Sequence, residues 1–213
     1  ASIFQPPVDA SGPFGYLAEK ASTNLALQSE DFGTGWTLEG ASVVANVAVA
    51  PDGTTTMDRL VVTTATQRHR TFRTDYSGLA NTNYTASVYI KDDGAGYGGV
   101  AVYIGAANSA SVAVDLSTGL VTDTNVNGTG VIVAYGAENV GNGIYRVWVS
   151  GYTTGAGVIY AIPFASNAAV PATWSDGSPS YTGVAGEDIL IWGAQAELGT
   201  YPTSYIPTTT TAV

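Results

Sequence analysis

The sequence predicts an all-β domain, folded as a jelly-roll β-sandwich of two antiparallel sheets. The chain of 213 residues contains 26 glycines and 13 tyrosines, and with its abundant Thr, Val and Ser this composition favours strands joined by tight turns. No stretch of ordinary helix length shows the roughly 3.6-residue hydrophobic period of a helix. The number of strand patterns, with long connections between them, is typical of a jelly roll rather than of a meander.

Composition also bounds the partners of the domain. The net charge is −10, with 7 Lys and Arg against 17 Asp and Glu, which argues against nucleic acid and anionic membranes because both require clustered basic residues. No apolar run approaches the roughly 20 residues of a membrane span, and no signal peptide is visible. The chain has no cysteine, which excludes disulfides and thiolate metal sites.

The stretch that organises the chain is Asp188 to Pro207, which reads DILIWGAQAELGTYPTSYIP. Its apolar run is typical of a strand buried on both faces. At Gly193 we expect either a bend or a contact too close for a side chain. Such a final strand should lie in the middle of the sandwich and pair with an early strand, for which Asn24–Leu27 is the candidate.

The chain divides into a lead-in at 1–23, the sandwich at 24–207 and a tail at 208–213. Period-2 alternation and apolar runs bounded by turn residues predict strands at Asn24–Leu27, Ser42–Val49, Met57–Thr63, Gln67–Tyr76, Tyr84–Lys91, Gly98–Gly105, Ser111–Asp115, Leu120–Val126, Gly130–Tyr135, Ile144–Tyr152, Val158–Phe164 and Asp188–Ala196. Turns are predicted at Pro51–Gly53, Ser117–Gly119 and Gly141–Gly143. Asn127–Gly128 is the strongest two-residue hairpin signal, and 165–186 is a long connection.

Several ordered motifs resemble a domain common in tail fibres, tailspikes and head fibres of phages and prophages. They are G-Y-L-A-E-x-A-x-T-N-L…S-E-D-F…W (Gly15 to Trp36), YTASVYIKDDG, DLSTGLV, GNGIYRVWVSG and the closing IWGAQAELG-x-x-P-T-S-Y-I-P-T. The match covers Gly15 to Thr208. The resemblance implies a virion-surface or extracellular protein similar to jelly-roll carbohydrate-binding modules. Polysaccharide or a cell-surface glycan is then the expected partner, and homo-oligomers would form through the parent virion protein. No cofactor is required, but a structural calcium near the first and last strands is implied, with Asp188 as the best carboxylate.

Strand alternation supplies a candidate binding surface. If Val88 and Val147 face the core, then Tyr89, Arg146 and Trp148 face outwards, and Tyr103 does so by the same logic. Exposed rings and nearby donors are what the flat C–H faces and hydroxyls of a sugar require, so these aromatic residues predict a platform across one sheet face. The alternatives are an ordinary solvent face, or a Trp148 that lies under a loop or in a subunit interface.

A basic cluster at Arg68–Arg73 contains the only histidine. Arg73 or His69 could add donors to the platform, and the arginines suit uronic or sialic acids. Alternatively, the arginines of the cluster pair with the chain's own carboxylates, and we favour this interpretation. On the long connection, Trp174 and Tyr181 could line a pocket or plug the sandwich.

The sequence does not point to catalysis. His69 has no serine or carboxylate partner at the level of a motif, and most acidic residues lie in turns. We therefore expect a non-catalytic binding module. The alternatives are a structural, oligomerisation or decoration domain without a sugar ligand and, third, a polysaccharide-degrading enzyme, which needs two opposed carboxylates.

Overall fold

The computed structural model describes residues 19–74, 76–105 and 108–213, which leaves most of the predicted lead-in outside the described residues. In chain order the strands are β1 (Thr37–Glu39), β2 (Ala41–Ala48), β3 (Met57–Val62), β4 (Thr66–Arg68), β5 (Arg70–Phe72), β6 (Tyr76–Gly78), β7 (Tyr84–Asp93), β8 (Tyr97–Ile104), β9 (Ser109–Asp115), β10 (Val121–Asn127), β11 (Val131–Gly141), β12 (Ile144–Tyr152), β13 (Gly157–Ser166), β14 (Trp174–Ser175), β15 (Ser178–Thr182) and β16 (Asp188–Leu198). Within the described ranges there is no helix long and apolar enough to cross a membrane.

Two large antiparallel sheets form a β-sandwich. The six-stranded sheet has the order β11-β12-β7-β16-β3-β2, and the seven-stranded sheet has the order β1-β5-β13-β8-β9-β10, with β6 also paired to β13. A three-stranded sheet, β14-β15-β4, completes the described structure. The all-β prediction and the sandwich are confirmed.

The core lies between the two large sheets. Alternate residues of β7 and β12 point into it, among them Val88, Ile90, Val147 and Val149, and all four are fully buried. The facing sheet supplies Val100, Val102, Val112 and Val114. The predicted orientation of these strands is therefore confirmed, and it places the intervening residues of β7 and β12 on the outer face of the six-stranded sheet.

The final strand lies in the interior of its sheet, as predicted, between β7 and β3. A β-bulge interrupts its register with β7 between Trp192 and Gln195. Gly193 has a φ of +62° there, and a Cβ on it would lie 2.9 Å from the Tyr89 ring. The bend and the close contact expected at this glycine thus occur together.

The prediction of a first strand at Asn24–Leu27 is wrong, because this segment makes isolated backbone hydrogen bonds rather than a continuous ladder with another strand. The Leu25 N–H donates to the Ala196 carbonyl at 2.7 Å and the Asn24 N–H to the Val213 carbonyl at 2.8 Å. The C-terminal tail also accepts from Gln28 and Ser29. The early segment and the tail therefore run side by side.

Two further sequence predictions need correction. The stretch expected as a single strand at Gln67–Tyr76 contains parts of three short strands: β4 in the three-stranded sheet, and β5 and β6 in the seven-stranded sheet. The Asn127–Gly128 turn does not close a hairpin, because β10 and β11 lie in different sheets. A local turn signal cannot distinguish a hairpin from a crossing between the sheets.

Candidate functional site

The outer face of the six-stranded sheet carries three of the eight predicted binding residues. Tyr89 on β7 and Trp148 on the neighbouring β12 both point away from the core, and Arg146 is the register partner of Tyr89. The Arg146 guanidinium lies 5.4 Å from the centroid of the Tyr89 ring. Tyr89, Arg146 and Trp148 therefore lie on one surface, as strand alternation predicted.

The C-terminal segment 199–206 crosses this face and covers part of it. Tyr205 packs on Trp192, with ring centroids 4.5 Å apart, and on Tyr89, at 6.0 Å. Tyr89 is consequently only 8% exposed and Trp192 only 3%. Because Trp192, Tyr205 and the Arg146 guanidinium all pack on the Tyr89 ring, this ring supports the surface from below and has no open face for a ligand.

Hydrogen bonds fix this segment to the sheet. Glu197 is fully buried, and its carboxylate accepts from the Thr203 N–H at 2.9 Å and the Thr203 hydroxyl at 2.8 Å. Gln195 accepts from the Ile206 N–H at 2.8 Å. Burial raises the pKa of Tyr205 far above its ordinary value, although the Ser29 hydroxyl bonded to it opposes the rise. The segment 199–206 is therefore held against the sheet and forms a fixed part of this surface.

The solvent-facing aromatic pair is formed by Trp148 and Tyr201. Their ring centroids lie 5.3 Å apart and their planes are inclined by 51°. Trp148 is half-buried over Gly136, whereas Tyr201 is 66% exposed. Sequence reasoning missed Tyr201, because it lies in an irregular segment where strand alternation gives no information. The only available signal was an aromatic residue between Gly199 and Pro202.

A cleft of about 420 Å³ adjoins Tyr201 and adds polar groups to the aromatic pair. Lys20, Glu19 and Asn83 contribute to its lining. The Asn83 Oδ1 atom is buried and has no hydrogen-bond partner among the described residues. The cleft therefore places amide, ammonium and carboxylate groups beside an aromatic ring, so hydrogen-bonding groups adjoin an apolar surface.

Tyr103 lies elsewhere, and the prediction of one platform that includes it is wrong. It belongs to β8 of the seven-stranded sheet, on the opposite side of the sandwich. Its ring stacks on Tyr160 at 4.8 Å and 3°, and Tyr160 stacks on Phe72 at 5.6 Å. Because these rings cover one another's faces, they offer less flat surface to a sugar than an isolated ring would.

The arginines of the basic cluster pair mainly with the chain's own groups. Glu39 accepts from Arg68 at 2.7 Å and from Arg70 at 2.9 Å, and Arg68 also pairs with Asp176. Burial lowers the pKa of Arg70, and the neighbouring Arg68 charge adds to this effect. Pairing within the chain, the favoured interpretation, is confirmed for these two arginines. Arg73 donates to the Thr34 carbonyl at 3.0 Å.

His69 is fully buried and therefore lies out of reach of a surface ligand. Its Nδ1 atom lies 2.6 Å from the Gly40 carbonyl oxygen, and its Nε2 atom lies 3.2 Å from that of Tyr181. Strand alternation did not predict this burial, because His69 lies between two strands, β4 and β5, that are each only three residues long.

The long connection, 165–186, contains the β14–β15 hairpin and packs on the sandwich. Trp174 donates to Asp123 at 3.2 Å and meets the edge of Phe164 at 5.7 Å. Tyr181 packs on His69 with ring centroids 4.5 Å apart, and burial raises its pKa well above the ordinary value. Both rings thus contact the sandwich itself.

Asp188 is 8% exposed and accepts the Val62 N–H at 2.8 Å. Among the described residues no group of three or more His, Asp or Glu side chains could hold a metal ion. Calcium also takes carbonyl, amide and water oxygens as ligands, so calcium binding at Asp188 stays a prediction.

Comparison with known proteins assigns no family to this architecture. No protein-family model matches the chain, and a search of curated proteins finds no match either.

Proposed function

We propose that this chain is a non-catalytic polysaccharide-binding module with jelly-roll topology, carried by a phage virion protein that contacts glycans outside the cell. The observation that carries the proposal is the Trp148–Tyr201 pair on the outer face of the six-stranded sheet. Connections that cross between the large sheets, such as β7 to β8 and β12 to β13, support the jelly-roll topology.

The physical argument rests on the exposed Tyr201 ring. The protein gains little stability from an aromatic ring that is 66% exposed, whereas a sugar ring stacked on it would bury more apolar area. The supporting contacts beneath, Trp148 and the hydrogen-bonded segment 199–206, hold the ring in place. A ring held in this way loses little conformational entropy on binding, which favours affinity.

Affinity electrophoresis in polysaccharide-containing gels tests the proposal. The wild type should be retarded by at least one polysaccharide, and Trp148→Ala or Tyr201→Ala should weaken binding by about tenfold or more. Tyr135→Ala is the matched control. Tyr135 is 48% exposed, but it points to the other side of β11 from its neighbour Gly136, which is the register partner of Trp148. Equal retardation of all variants would move the binding site away from this pair.

A structural or assembly role is the second candidate, and the edge strand β2 favours it. Among the described residues, β2 pairs with another strand along one edge only. It contains no charged residue and exposes Val44 by 47% and Val47 by 36%. Uncharged edge strands are templates for pairing with another chain. Light scattering should find a monomer if the module acts only in binding. A defined oligomer that Val44→Lys dissociates would favour assembly instead.

A further inference from the structure

Arg146 is a nearly buried cation without a counter-ion in the described structure. It is 8% exposed and lies on the same outer face as Trp148, two positions away along β12. Within the described residues its one hydrogen bond runs from Nη2 to the Ser87 hydroxyl at 3.2 Å. Its Nε atom is buried and has no hydrogen-bond partner in the part of the chain that the structure describes.

In contrast to Arg146, three other arginines form ion pairs with carboxylates. Arg59 pairs with Asp93, Arg68 with Glu39 and Asp176, and the equally buried Arg70 with Glu39. Acidic residues are plentiful, at 17 against 7 basic ones, so the missing partner of Arg146 is not explained by a shortage of carboxylates. The Tyr89 ring stabilises the guanidinium by a cation–π contact, but a buried charge normally also requires an opposite charge.

Two lysines lie in the same region, one beyond Arg146 and one beside Tyr201. Lys91 lies on the outer face of β7, one outward position beyond Tyr89, and Lys20 lines the cleft beside Tyr201. Neither lysine forms an ion pair within the described residues. The acidic groups that face this region are Glu138, the exposed register partner of Arg146, Glu19 in the cleft, and Glu197, whose carboxylate is taken up by Gln195 and Thr203.

We propose that the glycan bound at the Trp148–Tyr201 pair is acidic, and that the carboxylate of a uronic or sialic acid residue pairs with the guanidinium of Arg146. This inference rests on the proposed function. A carboxylate accepts a charge-assisted hydrogen bond from a guanidinium N–H group, and this contact does not require Nε, which is buried. Sugar stacking on Tyr201 and charge pairing at Arg146 would then act on neighbouring parts of one ligand.

The test uses acidic polysaccharides beside their own carboxyl-reduced forms, which keep the sugar backbone but lose the charge. Polygalacturonate, alginate, hyaluronan and polysialic acid are the probes. The wild type should bind at least one acidic form about tenfold more tightly than its reduced form, and added salt should weaken only the former. Arg146→Gln should remove this preference and leave binding to the reduced form within about twofold.

Glu138→Gln tests the charge without altering the buried arginine. Glu138 is exposed, and its removal should strengthen binding to the acidic form by about two- to threefold with no change for the reduced form. This variant decides the matter if Arg146→Gln does not fold, as judged by circular dichroism. No change on Glu138→Gln, together with equal binding of acidic and reduced forms, overturns the acidic preference.

The two proposals fail in different ways. Equal binding of acidic and reduced forms that Tyr201→Ala abolishes would leave polysaccharide binding intact and refute only the role of Arg146. Binding to none of the probes, in either form, would overturn both proposals.

Discussion

Asn24 and Ala196 are joined by a hydrogen bond from the Ala196 N–H to the Asn24 Oδ1 atom, at 3.1 Å, although 172 positions separate them in the sequence. The same side chain accepts from Ala26 at 3.0 Å and donates to the carbonyls of Ala194, at 3.0 Å, and Ile206, at 2.8 Å. Asn24 is fully buried. It therefore ties the early segment, the final strand and the segment that carries Tyr201.

Replacing Asn24 by alanine should lower the free energy of unfolding by about 3 kcal/mol or more, because four backbone groups lose their partner at once and three of these hydrogen bonds are buried. Asn24→Asp should cost at least as much at neutral pH, since a carboxylate cannot donate to two carbonyls. Urea denaturation measures both. Asn167→Ala, at an exposed position, is the control and should change stability by less than about 0.5 kcal/mol. A loss for Asn24→Ala no larger than that of the control would contradict the assigned role.

The sequence predicted this arrangement only in part. The apolar run of β16 and the alternation of β7 and β12 gave the core face correctly, because burial of one face imposes a period of two on a strand. The partnership of Asn24 could not be predicted, since one asparagine in an irregular segment has no periodic signal. Tyr201 was missed for the same reason, and Tyr103 was misplaced because alternation reports the face of a strand but not the sheet to which it belongs.

Gly193 should tolerate no side chain. Gly193→Ala should reduce the free energy of unfolding by about 3 kcal/mol, since it adds the contact with the Tyr89 ring to the cost of a positive φ. Gly53→Ala is the matched control: its φ is +87° and no atom lies within 4 Å of the added Cβ. The control isolates the backbone cost, which should be about 1 kcal/mol. Equal losses in thermal or urea unfolding would show that the Tyr89 contact is unimportant.

Glu39 should matter more than an exposed partner of an ion pair. The Arg70 side chain is 6% exposed and Glu39 is its counter-ion, so Glu39→Gln should cost about 3 kcal/mol by leaving a buried charge uncompensated. Asp93→Asn breaks the pair with Arg59, whose side chains are 39% and 30% exposed, and should cost about 1 kcal/mol or less. Urea denaturation of the two variants compares them directly, and a reversed order would refute the argument.

Asp58 should make the protein more stable as the pH falls from neutral. It is 1% exposed, and burial raises its pKa above the ordinary 3.8, despite hydrogen bonds from the N–H groups of Asn46 and Phe32. The folded state therefore holds this proton more tightly than the unfolded state, and the resulting stabilisation, complete below pH 3.8, is lost as the pH rises through the folded pKa. Unfolding free energies of the wild type and Asp58→Asn, compared at about pH 7 and about pH 4.5, isolate this effect.

The difference between wild type and Asp58→Asn should shift in favour of the wild type at the lower pH. Asp115→Asn provides a control of opposite sign. Hydrogen bonds from Ser117 lower the pKa of Asp115, so its contribution is present above pH 3.8 and is lost only as the pH falls further. The difference between wild type and Asp115→Asn should consequently stay constant between the two pH values. A constant difference for Asp58→Asn as well would mean that burial does not raise the Asp58 pKa.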